Sequence, residues 1–331
     1  MKRELLRKIA VLLVAVFILG VGLTGCGGGG DDEFPSRPIT LVIPFGAGGA
    51  HDMHARAIVS TITPFLNDTP MIVELRPGAG GALGGEFVAR SNADGYTLLF
   101  GNNAVNINLP IAEDIGFGPE DFIPIALINY SPGNAITTAY NGRFADFDEM
   151  IAHARANPGD VTFASAGIWG VSHLPFEIIA QMQDVQFTHV PFDGGGPAHM
   201  AVLAGEVDFT LSSPSQYADH IAAGNLRALL VLDYERTPHL PDTPTAREVG
   251  MELRYVPWRG VFAPAGTPDD VVLFLREAFR QLSEDPTFIQ MIENLDEQVL
   301  YFDAPDWIPM LESERAFAEA AIAAVLAEMG R

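Results

Sequence analysis

Short apolar runs alternate with amphipathic stretches along most of the chain. The run at 39–45 precedes a helical pattern over 50–65, and the run at 71–75 precedes one over 85–91. This alternation is typical of a parallel sheet with helices on its faces, so we predict an α/β fold. Further strands are predicted at 96–101, 161–164, 187–192, 207–211, 226–232 and 298–302, and further helices at 147–156, 172–182, 197–204, 216–223, 269–283, 286–293 and 305–329.

Two breaks in composition divide this pattern. One is Ser131-Pro132-Gly133, which ends a proline-containing stretch predicted as a loop, and the other lies around Val256-Pro257-Trp258. We interpret them as crossings between two lobes. Lobe one is then built from 34–132 and 258–331, and lobe two from 133–257. One continuous sheet remains the alternative.

The N-terminal residues have the pattern of an export signal. Basic residues follow Met1 at Lys2 and Arg3, and an apolar run covers 9–23. Leu23-Thr24-Gly25-Cys26 resembles a lipobox. The run is short for a bilayer-spanning helix. We predict a lipoprotein signal peptide at 1–25, lipidation of Cys26 and a flexible tether at 26–33. The protein would be exported, periplasmic or at the cell surface, and held to the membrane by this anchor. In the alternative, a plain signal peptide, Cys26 is incidental.

Charge and composition exclude several classes of function. The formal net charge is −23, which disfavours binding to nucleic acid or anionic lipid. Both lysines, Lys2 and Lys8, lie in the predicted signal, so a P-loop lysine and a Schiff-base lysine are excluded from the mature chain. Cys26 is the one cysteine, which excludes disulfides, thiol catalysis and cysteine-ligated zinc.

Loops rich in small or hydroxyl residues follow the predicted strands. In an open α/β sheet, ligands bind at the carboxyl ends of strands, and the first turn of the next helix offers free N–H donors to an anion. We therefore predict an anion site built mainly from backbone groups. The loops are 45–49, 101–103, 165–167, 192–196 and 211–214.

The sequence disfavours three other kinds of site. The glycine-rich stretch 78–84 has Leu83 where a dinucleotide fingerprint needs its last glycine. His51, Asp52 and His54 suggest a metal site but lack a further carboxylate cluster. Ser165, with His173 and Asp208 as imagined partners, lacks the first glycine of a nucleophile elbow. We predict no cofactor, no metal and no catalysis.

The chain resembles the extracytoplasmic solute receptors of tripartite tricarboxylate transporters, also called Bug-type receptors. The resemblance covers 34–329 and is carried by "FPSRPITLVIPFGAGGAHDMHAR", "RPGAGGALGGEFVAR", "DGYTLL", "FASAG", "HVPFDGGGPA", "LPDTPTAREVG" and "FAPAGTP". It implies a two-lobed periplasmic-binding-protein fold, each lobe a mainly parallel sheet flanked by helices, with the ligand cleft between them. The implied function is capture of a small organic carboxylate by a monomer and its delivery to membrane permease subunits. A receptor for a sensor kinase and, less favoured, an α/β hydrolase are the alternatives.

The resemblance and the loops together nominate the ligand contacts. Asp193 stands where lysine is frequent in the family, which would disfavour a second carboxylate nearby and give a monocarboxylate or zwitterion weight beside the usual dicarboxylates. That argument requires Asp193 to face the ligand. The nominated contacts are Phe45, Ala47, Gly48, Gly49, Asp52, Asn102, Ser165, Ala166, Phe192, Gly194, Gly196 and Ser212.

Overall fold

Two mixed sheets with flanking helices organise the chain in a computed structural model that describes residues 34–328. Residues from Arg37 onward form one unit. The strands are β1 Ile39–Ile43, β2 Met71–Leu75, β3 Thr97–Gly101, β4 Phe122–Tyr130, β5 Ala135–Ala139, β6 Val161–Ser165, β7 Phe187–Pro191, β8 Phe209–Ser212, β9 Leu226–Val231, β10 Trp258–Pro264 and β11 Phe302–Asp303. The α-helices are α1 Ala50–Thr61, α2 Ala82–Ala89, α3 Leu109–Ala112, α4 Phe147–Ala156, α5 His173–Gln183, α6 Gly195–Leu203, α7 Pro214–Ala222, α8 Asp269–Glu284, α9 Pro286–Glu293 and α10 Ala304–Glu328.

The first sheet has the order β11-β4-β10-β3-β1-β2. Strand β1 pairs in parallel with both β2 and β3, whereas β10 is antiparallel to its neighbours β3 and β4. All seven residues of β10 are buried, as expected for a strand inside a sheet covered on both faces. The chain therefore returns late to the centre of a sheet begun near residue 39.

The second sheet has the order β7-β6-β8-β5-β9. Strand β6 is parallel to β7 and β8, and β5 runs antiparallel between β8 and β9. Its strands come from residues between Ala135 and Val231. Each sheet thus carries a reversed strand in its interior, a feature the strand–helix alternation did not predict.

Local sequence accounts for the helices that cover these sheets. Helix α8 buries Val271, Val272, Leu275, Phe279 and Leu282, whose spacing places them on one helical face. At its end, the Asp285 side chain accepts hydrogen bonds from the first N–H groups of α9, which starts with Pro286. The predicted bounds of α9 and α4 are confirmed without change.

Three strands were missed. The stretch before residue 132 was predicted as a loop because of its prolines, yet it contains β4 as well as α3, and β5 and β10 follow the two crossings. Pro124 lies in β4 opposite Phe262, next to an irregularity in the register of β4 and β10. Such an irregularity accommodates a residue that cannot donate a ladder hydrogen bond. In place of the predicted strand at 298–302, the structure has a two-residue strand, Phe302–Asp303, which shares only Phe302 with the prediction.

Within residues 34–328, no helix combines the length and apolarity that crossing a bilayer requires. The predicted signal peptide, Cys26 and the tether up to residue 33 lie outside the described residues. The lobe boundaries stay a prediction.

Candidate functional site

The loop between β1 and α1 is held by the first turn of its own helix. Gly48 has φ +78°, a conformation that glycine adopts without steric cost. Its N–H donates to Asp52 Oδ2 at 3.0 Å, and Asp52 Oδ1 is paired with Arg56 Nε at 2.9 Å. An aspartate in the first turn also complements the helix dipole. Asp52 therefore shapes the loop.

A second glycine loop, between β7 and α6, lies directly against the first. Gly46 N donates to Asp193 O at 2.8 Å. A Cβ added to Gly49 would lie 3.1 Å from Gly196 N, and one added to Gly196 would lie 2.6 Å from Ala47 O. These contacts are backbone to backbone, so side chains at these positions would force the loops apart.

The two sheets are also connected at a second place. A Cβ added to Gly167, after β6, would lie 2.5 Å from Gly80 Cα, just before α2. Asn108 Nδ2 donates to Trp169 O at 3.1 Å, and Trp169 Nε1 donates to Glu113 Oε1 at 3.0 Å. The parts built on the two sheets therefore touch at this place as well.

These contacts border a cavity of about 60 Å³ between the sheets. The volume is far below the roughly 300–1,000 Å³ of pockets for drug-sized ligands, so the cavity in this conformation suits a small solute. Its wall combines backbone from both glycine loops with amide, hydroxyl and imidazole groups. The lining residues are Phe45, Gly46, Gly49, Ala50, His51, Asn102, Asn134, Ala166, Val171, Ser172, Gly195, Thr210, Leu211, Ser213, Gln216, Pro257 and Arg259.

A buried ionic network includes the one arginine of this wall. Arg259 Nη1 donates to Glu297 Oε2 at 3.1 Å and also to Asn129 Oδ1. The other carboxylate oxygen, Oε1, accepts from Ser215 Oγ at 2.6 Å. Burial alone would raise the pKa of Glu297, but the charges of Arg259 and His54, with hydrogen bonds from His54 and Ser215, outweigh it and hold that pKa well below its ordinary value. Glu297 is therefore an anion at neutral pH.

His51 contributes a neutral imidazole to the wall. Burial lowers its pKa well below the ordinary value, and the nearby positive charge of Arg259 lowers it further. Its Nε2 lies 3.4 Å from Gly101 O, so this weak contact favours the tautomer with the proton on Nε2. His51 can then offer Nδ1 as an acceptor.

The nominated ligand contacts fall into two groups. Phe45, Gly49, Asn102 and Ala166 line the cavity. The remaining residues are not among those that line it. Ala47, Gly48, Gly194 and Gly196 belong to the two loops that touch each other, and Asp52 supports one of them.

Three other nominated residues form hydrogen bonds with residues in or next to the second sheet. Ser165 is fully buried, and its Oγ donates to Gly167 O at 2.8 Å. Ser212 Oγ bonds Thr137 Oγ1 at 2.7 Å and His199 Nδ1 at 3.1 Å. Phe192 packs on a core cluster that includes Ala164 and Val202, and its N–H donates to Ser165 O.

The imagined triad of Ser165, His173 and Asp208 is not assembled. Ser165 Oγ lies 2.6 Å from His189 Nε2 instead. His173 Nδ1 accepts from the N–H of Trp169, and Asp208 Oδ2 accepts from the N–H of Thr162. Likewise, residues 34–328 contain no group of three histidine, cysteine, aspartate or glutamate side chains placed to hold a metal ion.

The Asp193 argument against a second carboxylate is wrong. Asp193 is exposed and is not among the lining residues, so its charge does not face the ligand space. No aspartate or glutamate side chain of the described chain lines the cavity. The wall is therefore compatible with more than one anionic group.

Sequence reasoning missed the wall residues near the crossings, Asn134, Pro257 and Arg259. Arg259 could not be placed because strand β10 was not predicted. A strand through Trp258–Pro264 puts Arg259 inside a sheet. The available signal was a lone charge within the apolar run that follows Val256. A charged residue in a buried strand must be paired or must serve a ligand.

Comparison with known proteins identifies relatives of matching length. Residues 55–325 match the family described as "Tripartite tricarboxylate transporter family receptor". Protein BugT of Bordetella pertussis is 32% identical over 267 residues, which cover 78% of this chain and 80% of BugT.

Solved structures agree with this match. The periplasmic binding protein BugD superposes with a TM-score of 0.82 at 28% identity, covering 88% of this chain and 98% of BugD. MatC from Rhodopseudomonas palustris with bound malate gives 0.81 at 28% identity, covering 87% of this chain and 100% of MatC. Another R. palustris protein, with adipate, gives 0.81 at 26% identity, covering 88% and 98%. The two-sheet architecture is thus that of periplasmic binding proteins, and the chain belongs to the tripartite tricarboxylate transporter receptor family.

Proposed function

We propose that this protein is an extracytoplasmic solute receptor that encloses a small organic carboxylate between its two sheets and delivers it to membrane permease subunits. Its family membership supports the receptor role, and the malate and adipate in two structural relatives support the class of ligand. The residues that line the cavity support the ligand class independently of the relatives.

The observation that carries the proposal is the composition of the closed cavity. Backbone from both glycine loops meets there, and no carboxylate side chain of the described residues lines it. The N–H groups of the first turns of α1 and α6 lie at this place, and free N–H groups of a helix start attract an anion. A carboxylate in the cavity would gain donors without facing a fixed negative charge.

We also propose that the protein carries out no chemistry. Ser165, the candidate nucleophile, is fully buried, is not among the residues lining the cavity, and donates its hydroxyl proton to Gly167 O. Burial lowers the pKa of His189 to about 4, so this neighbour is a weak base at neutral pH. A single hydroxyl proton cannot also be shared with a base.

The proposal extends to the whole chain. Lobe one comprises 34–132 and 258–331, and lobe two 133–257, with opening and closure at the crossings near 132 and 257. Such a hinge lets a ligand stabilise the closed form by its higher affinity for it. Export and lipidation at Cys26 place the monomeric receptor beside its permease.

A thermal-shift screen tests the ligand class. The purified protein is heated with mono-, di- and tricarboxylates, with aromatic acids and amino acids, and with neutral sugars and amines as controls. A ligand at 100 times its Kd that binds only the folded state adds about 2.7 kcal/mol to the unfolding free energy. We expect at least one carboxylate class, and no control compound, to raise the melting temperature.

An unresponsive sample would be denatured and its released small molecules identified. A copurified carboxylate would still support the proposal. A folded sample that releases no carboxylate and responds to none would contradict it.

A further inference from the structure

Arg259 has a donor that the protein itself leaves unused. Its side chain is 4% exposed, and its protein partners Asn129 and Glu297 both bind Nη1. Within residues 34–328, the buried Nε has no hydrogen-bond partner. An unpaired buried donor destabilises the folded state, and more so when it belongs to a charged group. The hydrogen-bonding capacity of the Arg259 guanidinium is therefore not fully used by the protein.

The position of Arg259 distinguishes it from other arginines. Arg76 and Arg276 also have a buried Nε without a partner among the described residues, but neither lines the cavity between the sheets. Arg259 does line it. Of these three arginines, Arg259 alone has its side chain in the wall of the proposed ligand space.

The guanidinium is held rigidly. Arg259 is the second residue of β10 and pairs in register with Asn129 of β4. Because the guanidinium is planar, fixing Nη1 on Asn129 and Glu297 also fixes the direction of the Nε–H bond. A ligand acceptor would therefore meet a donor that loses little freedom on binding.

The acidic partner of Arg259 lies outside the cavity wall. Glu297 faces Arg259 Nη1 and His54 Nε2 through Oε2, and it accepts a hydrogen bond from Ser215 through Oε1. Glu297 is not among the residues that line the cavity, so its carboxylate does not face the ligand space. The positive charge of Arg259, which does line the cavity, favours an anion there.

We propose that Arg259 is a direct ligand contact, in which its guanidinium donates a charge-assisted hydrogen bond to a second anionic group of the solute, so that the receptor selects dicarboxylates over monocarboxylates of equal length. This inference rests on the proposed function. One carboxylate binds the backbone donors of the glycine loops, and the other binds Arg259. The neutral His51 and the amide of Asn102 lie along the same wall and add no negative charge.

Isothermal titration of the purified protein tests this. The probes are succinate and adipate, each compared with the monocarboxylate of equal chain length, butyrate and hexanoate. The wild type should bind at least one dicarboxylate about 10- to 100-fold more tightly than its monocarboxylate partner, the range expected for one hydrogen bond to a charged group. Arg259→Gln should abolish most of that difference, because it should weaken the dicarboxylate by about that factor and the monocarboxylate less.

Arg276→Gln is the matched control. The substitution also removes a buried Nε that has no partner among the described residues. Nη2 of Arg276 donates to Pro124 O, which does not line the cavity. The dicarboxylate preference of this variant should equal that of the wild type. If Arg259→Gln fails to fold because Glu297 is left unpaired, the double variant Arg259→Gln/Glu297→Gln removes both charges together and is measured instead.

The outcomes separate the two proposals. Equal wild-type affinity for di- and monocarboxylates would overturn the role of Arg259, as would an unchanged dicarboxylate preference in the Arg259 variants. An equal loss of both ligand classes in those variants would also overturn it, since that is the result of general damage. A wild type that binds no carboxylate at all would instead overturn the proposed function.

Discussion

At the scale of one residue, Glu314 shows how burial near the second crossing shifts the pKa of a carboxyl group. It lies in α10 and accepts hydrogen bonds from Trp258 Nε1 and Asn103 Nδ2, next to a second cavity of about 170 Å³. Burial raises the pKa of Glu314 to about 7, although both hydrogen bonds act in the opposite direction. The folded protein therefore keeps a proton that the unfolded chain releases at an ordinary pKa near 4.5.

This difference predicts a pH dependence of stability. Between about pH 4.5 and pH 7 the unfolded state binds fewer protons at Glu314, so the contribution of this residue to the unfolding free energy falls as pH rises. Glu314→Gln cannot ionise. Relative to this variant, the wild type should lose stability across that window, by at most about 1.4 kcal/mol per pH unit.

Denaturant unfolding of both proteins at several pH values measures the effect. A constant difference between them from pH 4.5 to 8 would show that Glu314 titrates alike in both states.

At the scale of elements, the helices were more predictable than the strands. Helix α8 has a complete apolar face, and α9 has an aspartate cap followed by proline, so local sequence determines both. Strands β5 and β10 each lie antiparallel in the interior of a sheet that they join out of sequence order. Their position depends on partners far along the chain, which periodicity alone does not contain.

The paired glycine loops give a prediction at this scale. Gly196→Ala should hold the loop after β1 away from α6, because the new Cβ would lie 2.6 Å from Ala47 O and 3.0 Å from Gly49 N. Both atoms belong to backbone attached to the other sheet, so the open form should fold normally. Overpacking of this kind costs roughly 1–3 kcal/mol, and we expect ligand Kd to rise about 10-fold or more.

Titration with the carboxylate found in the thermal screen measures this loss, and the melting temperature without ligand checks the fold. Gly195→Ala is the matched control, since its Cβ would meet only Gln216 Nε2, at 3.5 Å. We expect Gly195→Ala to lose less ligand affinity than Gly196→Ala. Wild-type affinity in Gly196→Ala would show that binding does not require the loops to touch.

At the scale of the whole molecule, two sheets share one chain that leaves the first sheet after β4 and returns at β10. The closed cavity lies between them, bordered by Asn134 near the first crossing and by Pro257 at the second. Cys26, which precedes the described residues, is the residue predicted to anchor the protein to the membrane.

Cys26→Ser tests the anchor. We expect the wild type to fractionate with membranes and to incorporate a labelled fatty acid, and the variant to do neither, because no other cysteine is present. Ligand binding should be unchanged. Labelling or membrane association that persists in the variant would contradict lipidation at Cys26.

The sequence by itself determined the α/β class, most helices and the two glycine loops, because amphipathic periodicity and glycine are local properties of the chain. It also identified the family through short motifs such as "IPFGAGG". Phe45, Gly49, Asn102 and Ala166 could be nominated for the wall because they follow strands directly. Only the tertiary structure decided that Asp193 faces away, that Arg259 faces the cavity, and that His54 and Glu297 lie behind it. Those positions depend on β10 entering the sheet between β3 and β4, a long-range pairing whose energy no local stretch of sequence encodes.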